Sequence, residues 1–235
     1  AGTATLTSSS DTDHVANVVG ATLTGAGTIG TLSNNGTATI GGRVDALTNG
    51  GTLNTQGALS AGALTNNELM NVNSGSTLTM DDGARLLNND RLVMAGGTIA
   101  GAVTNAASGA FSGTGTVNGT LTNAGTVTVD DRLTIDRVVN NNNVTITGQG
   151  TLISGQAVQN NALLTVAGRL QGDLANSGTA ALNGGTIIGN VANAGALTGT
   201  GTIDGTLRNS NIASIGGTVT NLVNLSGGHL TTDGD

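Results

Sequence analysis

At 235 residues the chain has room for one large domain or two ordinary ones, yet it holds 40 Gly, one Phe and no Trp, Tyr, Pro or Cys, which excludes a compact core built on aromatic anchors. Acidic residues number 14 against seven Arg and no Lys, so the formal charge of −7 gives a surface that repels phosphate backbones and anionic lipid. The apolar share of 37% is essentially aliphatic, and a charged share of only 9% in a clearly periodic sequence argues against disorder.

In chain order, 1–14 is a polar lead-in or partial cap, with Ser8-Ser9-Ser10-Asp11-Thr12-Asp13-His14 at its end. The chain begins at Ala1, without Met and without a signal peptide, as a processed product or an excised fragment does. No apolar run approaches the roughly 18 residues of a membrane span, so this segment is not expected to insert in a bilayer. Absence of Cys suits a reducing compartment and equally an exported chain that crosses a membrane unfolded.

From 15 to 235 one short kernel recurs, a Leu or Val two residues before an Asn. It places Asn at 17, 34, 49, 66, 88, 105, 123, 140, 160, 176, 193, 209 and 224. First and last are 224 − 17 = 207 residues apart, and twelve intervals make the mean 17.25 residues. A fixed period in this range signals a solenoid or array. Two intervals are long: 22 residues, containing Asn71 to Asp82, and 20 residues, containing Thr147 to Gly155, which predicts bulged loops there.

Within a unit the apolar residues alternate over two to four positions and are then broken by Gly or Asn, as at Val117, Leu121, Val127 and Val129 around Asn123. That spacing predicts short strands and leaves no room for a helix. The expected fold is all-β: a single-stranded parallel β-helix of about 13 rungs, stacked about 4.8 Å apart along a rod of about 60 Å. The Leu/Val column points inward, and the Asn column forms a ladder of side-chain amides: Asn17, Asn34, Asn49, Asn66, Asn88, Asn105, Asn123, Asn140, Asn160, Asn176, Asn193, Asn209 and Asn224. Two residues after the ladder come Gly36, Gly51, Asp90, Gly125, Asn142, Gly178, Gly195 and Asn211, residue types that tolerate the positive φ expected of a sharp turn.

Charge gathers in two places. Asp81, Asp82 and Arg85, followed by Asp90 and Arg91, form one cluster; Asp130, Asp131 and Arg132, followed by Asp136 and Arg137, form the other. A β-helical lyase or hydrolase would use carboxylates from adjacent rungs. Asp82 and Asp131 lie 131 − 82 = 49 residues apart, nearly three rungs, or about 14 Å along the axis by strand spacing. These clusters therefore read as solvated surface contacts and no catalytic residue is assigned. No calcium nonapeptide or EF-hand loop occurs, His14 and His229 have no Cys beside them, and no phosphate loop has a Lys to use, so no metal or cofactor is expected.

The phrases Gly119-Thr120-Leu121-Thr122-Asn123-Ala124-Gly125-Thr126-Val127-Thr128-Val129, Gly172-Asp173-Leu174-Ala175-Asn176-Ser177-Gly178 and Gly201-Thr202-Ile203-Asp204-Gly205-Thr206-Leu207 resemble the passenger regions of bacterial autotransporters and related β-helical surface adhesins. The resemblance extends over nearly the whole chain. It implies a right-handed parallel β-helix, secreted and displayed on a Gram-negative cell by a C-terminal outer-membrane barrel, in proteins of adhesion and virulence. No barrel and no aromatic-rich cap occur in this sequence, which therefore reads as an internal or N-terminal fragment. The 17-residue unit is shorter than many rungs of that family. A left-handed hexapeptide helix is the rival fold, and the Gly-rich turns and single Asn column fit it less well.

The function expected on these grounds is non-enzymatic: a stalk or adhesin segment in bacterial attachment or self-association, with its own copies or a host or cell-surface ligand as partner and no nucleic acid. The alternatives are a polysaccharide-processing β-helix enzyme and an ice-binding solenoid. For the latter, Thr pairs recur at Thr22/Thr24, Thr37/Thr39, Thr120/Thr122, Thr126/Thr128, Thr145/Thr147 and Thr218/Thr220. Their offsets from the nearest ladder Asn differ, which places them in different columns and argues against a shared binding face.

Overall fold

The structure, a computed structural model, describes residues 2–233. Ala1, where the predicted lead-in begins, and Gly234–Asp235, where the predicted array ends, lie outside the described residues. Among the described residues there are 24 strands, β1 (Thr3–Leu6) to β24 (His229–Asp233) in chain order, and no helix, hence none long and apolar enough to cross a membrane. They form about 14 turns of an all-β parallel solenoid, about 17 residues apart, and divide into two compact units, Ala1–Thr120 and Leu121–Asp235.

One coil of the second unit shows how sequence becomes shape. Its three sides are β14 (Asn143–Ile146), β15 (Thr151–Ser154) and β16 (Val158–Asn160). Val144, Ile146, Leu152, Val158 and Asn160 point inward and are buried, while Asn143, Thr145, Thr151, Ile153 and Gln159 alternate with them on the outside. β14 lies in register on β17 (Leu163–Val166), β15 on β18 (Arg169–Gln171), and β16 on β19 (Leu174–Asn176), all parallel. Elsewhere the three sides run together: β3 (Thr22–Asn34) and β4 (Thr37–Asn49) in the first unit each make almost a whole coil without interruption.

The interior is aliphatic. Leu32, Leu47, Leu64, Leu86 and Val103 of the first unit, and Leu121, Val138, Val158, Leu174, Val191 and Leu207 of the second, fill the position two residues before the ladder and are buried. Each contributes roughly 1.5–3 kcal/mol by leaving water. Phe111, the only aromatic residue, lies inside at 1% exposure. Cover is incomplete at Leu222, which is 40% exposed because β24 pairs with β23 (Ile212–Asn224) only over Ile212–Gly216.

The polar lead-in carries two strands, β1 and β2 (Asp11–Asn17), each paired in parallel with β3. In the 22-residue interval the extra chain folds into two tight turns. Asn73–Ser76 is closed by the Ser76 N–H on the Asn73 carbonyl at 3.0 Å, and Asp81–Ala84 by the Ala84 N–H on the Asp81 carbonyl at 2.9 Å. Each carries a glycine with positive φ, Gly75 at 73° and Gly83 at 76°, where a side chain would be strained. The 20-residue interval is accommodated by a turn over Thr147–Gly150.

The turn after the ladder is built differently from expectation. None of Gly36, Gly51, Asp90, Gly125, Asn142, Gly178, Gly195 and Asn211 has positive φ. The ladder side chain itself closes this corner, donating to the carbonyl two residues on, as from Asn49 to Gly51 at 3.0 Å and from Asn193 to Gly195 at 3.2 Å, so no left-handed residue is needed. Glycine is used there for room: a Cβ on Gly195 would overlap the Gly178 carbonyl of the coil beneath.

Candidate functional site

The most ordered polar feature of each unit is the amide ladder. In the first unit the Nδ2 groups of Asn17, Asn34, Asn49, Asn66 and Asn88 each donate to the Oδ1 of the next ladder Asn at 2.7 Å, ending at Asn105. In the second, Asn123, Asn140, Asn160, Asn176, Asn193 and Asn209 do the same at 2.7–2.9 Å, ending at Asn224. A further bond from each Nδ2 reaches a carbonyl of the coil above, for example Asn140 to Leu163 at 2.7 Å and Asn176 to Ala196 at 2.9 Å. Between the ends of each column the buried amides are thus satisfied in two directions, along the column and into the backbone.

The charged candidates lie on the outside. Asp81, Asp82 and Arg85 belong to the first unit, at the turn after β7 (Thr77–Met80); Asp130, Asp131 and Arg132 belong to the second, at the corner between β12 (Thr126–Val129) and β13 (Arg132–Asn140). Asp131 turns its carboxylate onto the Arg132 N–H at 2.8 Å. Asp81 has a partner that sequence spacing gave no reason to expect, Arg43, 38 residues earlier. The guanidinium donates to both Asp81 oxygens, Nη2 to Oδ2 at 2.8 Å and Nη1 to Oδ1 at 3.2 Å, while its Nε meets Asp45 at 2.9 Å. Parallel stacking explains the pairing: Arg43 of β4 lies under Ser60 of β5 (Thr52–Asn66), and the next coil brings in the turn that carries Asp81. The Arg43 hydrogen bond and charge hold the Asp81 carboxyl below the ordinary carboxylate range, and Asp81 in turn raises Arg43. Among the described residues no three His, Asp or Glu side chains converge as metal ligands would.

Two further features lie on outward columns. In the second unit, the outward column Gln159, Ala175, Ala192, Arg208 shrinks in its middle and leaves a groove of about 430 Å³. Several of its polar wall groups are already engaged: Gln159 accepts from Arg137 at 3.2 Å, Ser177 donates to Asn161 at 3.0 Å, and Ser210 donates to the Asn193 carbonyl at 3.0 Å.

In the first unit the Thr pairs do share columns, contrary to the offset argument. Thr22/Thr24 stand directly on Thr3/Thr5, and Thr37/Thr39 on Thr22/Thr24. The offsets mislead because the turn Val18–Ala21 takes up two residues after Asn17 before the strand begins. Register follows backbone pairing, not distance along the chain from the nearest Asn.

Comparison of the chain with protein-family models, with curated proteins and with solved structures finds no match in any of the three.

Proposed function

We propose that this chain is a non-enzymatic β-helical segment of a bacterial surface protein, serving as a stalk or adhesive surface in attachment or self-association. The observation that carries this reading is the repetition of the outside. Coil after coil presents polar, mostly uncharged side chains in register, as in Thr128, Thr145 and Thr165 on one column of the second unit, and charged residues make up only 9% of the sequence. A surface of that kind suits many weak contacts summed over coils, which gives avidity without any one strong site. Display on a Gram-negative cell through an outer-membrane barrel comes from the resemblance to autotransporter passengers, as does a role in virulence.

Self-association is the contact to test first. Beads of two colours coated with the purified protein are expected to form mixed aggregates that disperse on addition of soluble protein. Absence of aggregation at every salt concentration overturns the self-association reading. Binding of the coated beads to epithelial cells or to abiotic surfaces then decides between a heterologous ligand and a passive stalk.

A further inference from the structure

We propose that the outer face of β1, β3, β4 and β5 in the first unit binds ice. The face is a small two-dimensional lattice. One column is Thr3, Thr22, Thr37 and Thr52; the other, two residues along each strand, is Thr5, Thr24, Thr39 and Asn54. Strand geometry sets its spacings at about 4.8 Å between coils and about 6.7 Å along each strand, over a length of about 14 Å.

Three properties distinguish this lattice from an ordinary polar strand surface. The first is rigidity: over β3, β4 and β5 the residues between the two columns, Leu23, Ala38 and Leu53, are buried beneath it, and a β-branched Thr has few rotamers to lose when it becomes ordered. The second is availability. The side-chain hydroxyls of Thr3, Thr5, Thr22, Thr24, Thr37 and Thr52 make no hydrogen bond to protein, and only Thr39 accepts one, from Asn54 Nδ2 at 3.4 Å. Each hydroxyl is therefore free to donate to and accept from water at a fixed position, beside a methyl group that cannot. The third is neutrality, since no charged side chain belongs to either column over these four strands.

Neither column carries a charged, aromatic or large apolar side chain that could anchor one strong macromolecular contact. Ordered water is the ligand it matches, because ice presents oxygens in a repeating lattice with spacings of the same order in two directions, so the lattice hydroxyls can replace surface water positions together. The lattice stops above β5, where Leu69 and Asn71 of β6 (Leu69–Asn73) follow Thr52 and Asn54, and Asn71 Nδ2 is spent on Asn54 Oδ1 at 2.8 Å.

The test uses the soluble, fluorescently labelled chain and is independent of surface display. The protein is expected to concentrate in a slowly growing ice hemisphere and to inhibit ice recrystallisation. Thr24→Tyr and Thr37→Tyr, each placing a bulky group in the lattice, are expected to abolish both effects with thermal melts unchanged; Thr165→Tyr, on an outward column of the second unit, is expected to leave them intact. Thr37→Val provides a second variant of near-native shape that removes one hydroxyl and is expected to reduce both effects without a change in fold. Exclusion of the wild-type chain from ice to the level of a non-binding control protein overturns the proposal. So does retention of both effects in Thr24→Tyr and Thr37→Tyr, or their loss in Thr165→Tyr.

Discussion

Replacing one rung of the ladder should show how much of each unit depends on it, and Asn176 is the clearest choice. It is 2% exposed, accepts from Asn160 Nδ2 at 2.7 Å, and donates to Asn193 Oδ1 at 2.7 Å, to the Ala196 carbonyl at 2.9 Å and to the Gly178 carbonyl at 3.3 Å. In Asn176→Leu the Asn160 amide keeps its bonds to the carbonyls of Ala162 and Thr179, but Asn193 Oδ1 loses its one donor inside the coil. An orphaned buried acceptor costs about 1–3 kcal/mol, and the larger Leu adds crowding of similar size, partly offset by its apolar gain, for an expected loss of about 2–4 kcal/mol. Asn176→Asp should be worse at neutral pH, because a buried carboxylate raises its own pKa and cannot donate to Asn193. Its folded pKa then lies above the unfolded value, so the penalty fades as pH falls through that window and the protonated acid regains a donor.

Solenoids need not unfold in one step, so amide hydrogen exchange is the better assay. The reporters are the N–H groups of Ser177, bonded to the Asn160 carbonyl at 2.9 Å, and Ala194, bonded to the Asn176 carbonyl at 2.8 Å. Ala181→Ser, on the outward column of β20 (Thr179–Ile188), serves as the control. If Asn176→Leu and Ala181→Ser leave protection equally unchanged, the ladder does not stabilise the coil and the reasoning fails.

Further outcomes follow from the same geometry. Gly195→Ala should destabilise by at least about 1–3 kcal/mol, because its Cβ meets rigid backbone of the Gly178 coil, whereas Gly148→Ala, with open space and no positive φ, should be neutral or gain about 0.4–1 kcal/mol; equal melting temperatures would remove the stacking explanation. Arg43→Gln should speed exchange of the Ala84 N–H by freeing the Asp81–Ala84 turn, with no change in exchange counting against the clip. Because Asp81 is held below the ordinary carboxylate range, the wild-type clip should persist at and above that range and open as pH falls through the lowered value, which exchange at graded pH reads directly. Asn143 Oδ1 is buried without a partner, so Asn143→Thr should raise the unfolding free energy by up to about 1 kcal/mol; a loss of that size would mean a bound water serves the oxygen.

Much of the architecture is written locally. Strand type, inward face and coil period are legible because each depends on residues within one turn: alternation at Val144 and Ile146, a Leu or Val before Asn, and Gly where coils approach closely. The ladder itself is legible for the same reason, since Asn recurs with the period of the coil, and stacking brings equal positions together. What the turns do is less legible. Positive-φ glycines occur at other turns, Gly75 and Gly83 of the long interval among them, and not two residues after the ladder, because the Asn side chain closes that corner unaided.

Only the tertiary structure decides which outward residues become neighbours. The pairing of Arg43 with Asp81 depends on how many residues each intervening turn absorbs, a quantity set by backbone register between coils, and no pattern within a single coil encodes it. The same physical cause governs the Thr columns. Counting from the nearest Asn separates Thr22 from Thr37, yet the extra residues of the Val18–Ala21 turn bring the two strands into register and stack the threonines. In a solenoid the sequence alone determines the coil, because burial acts on each residue separately, while the surface is a property of the stack.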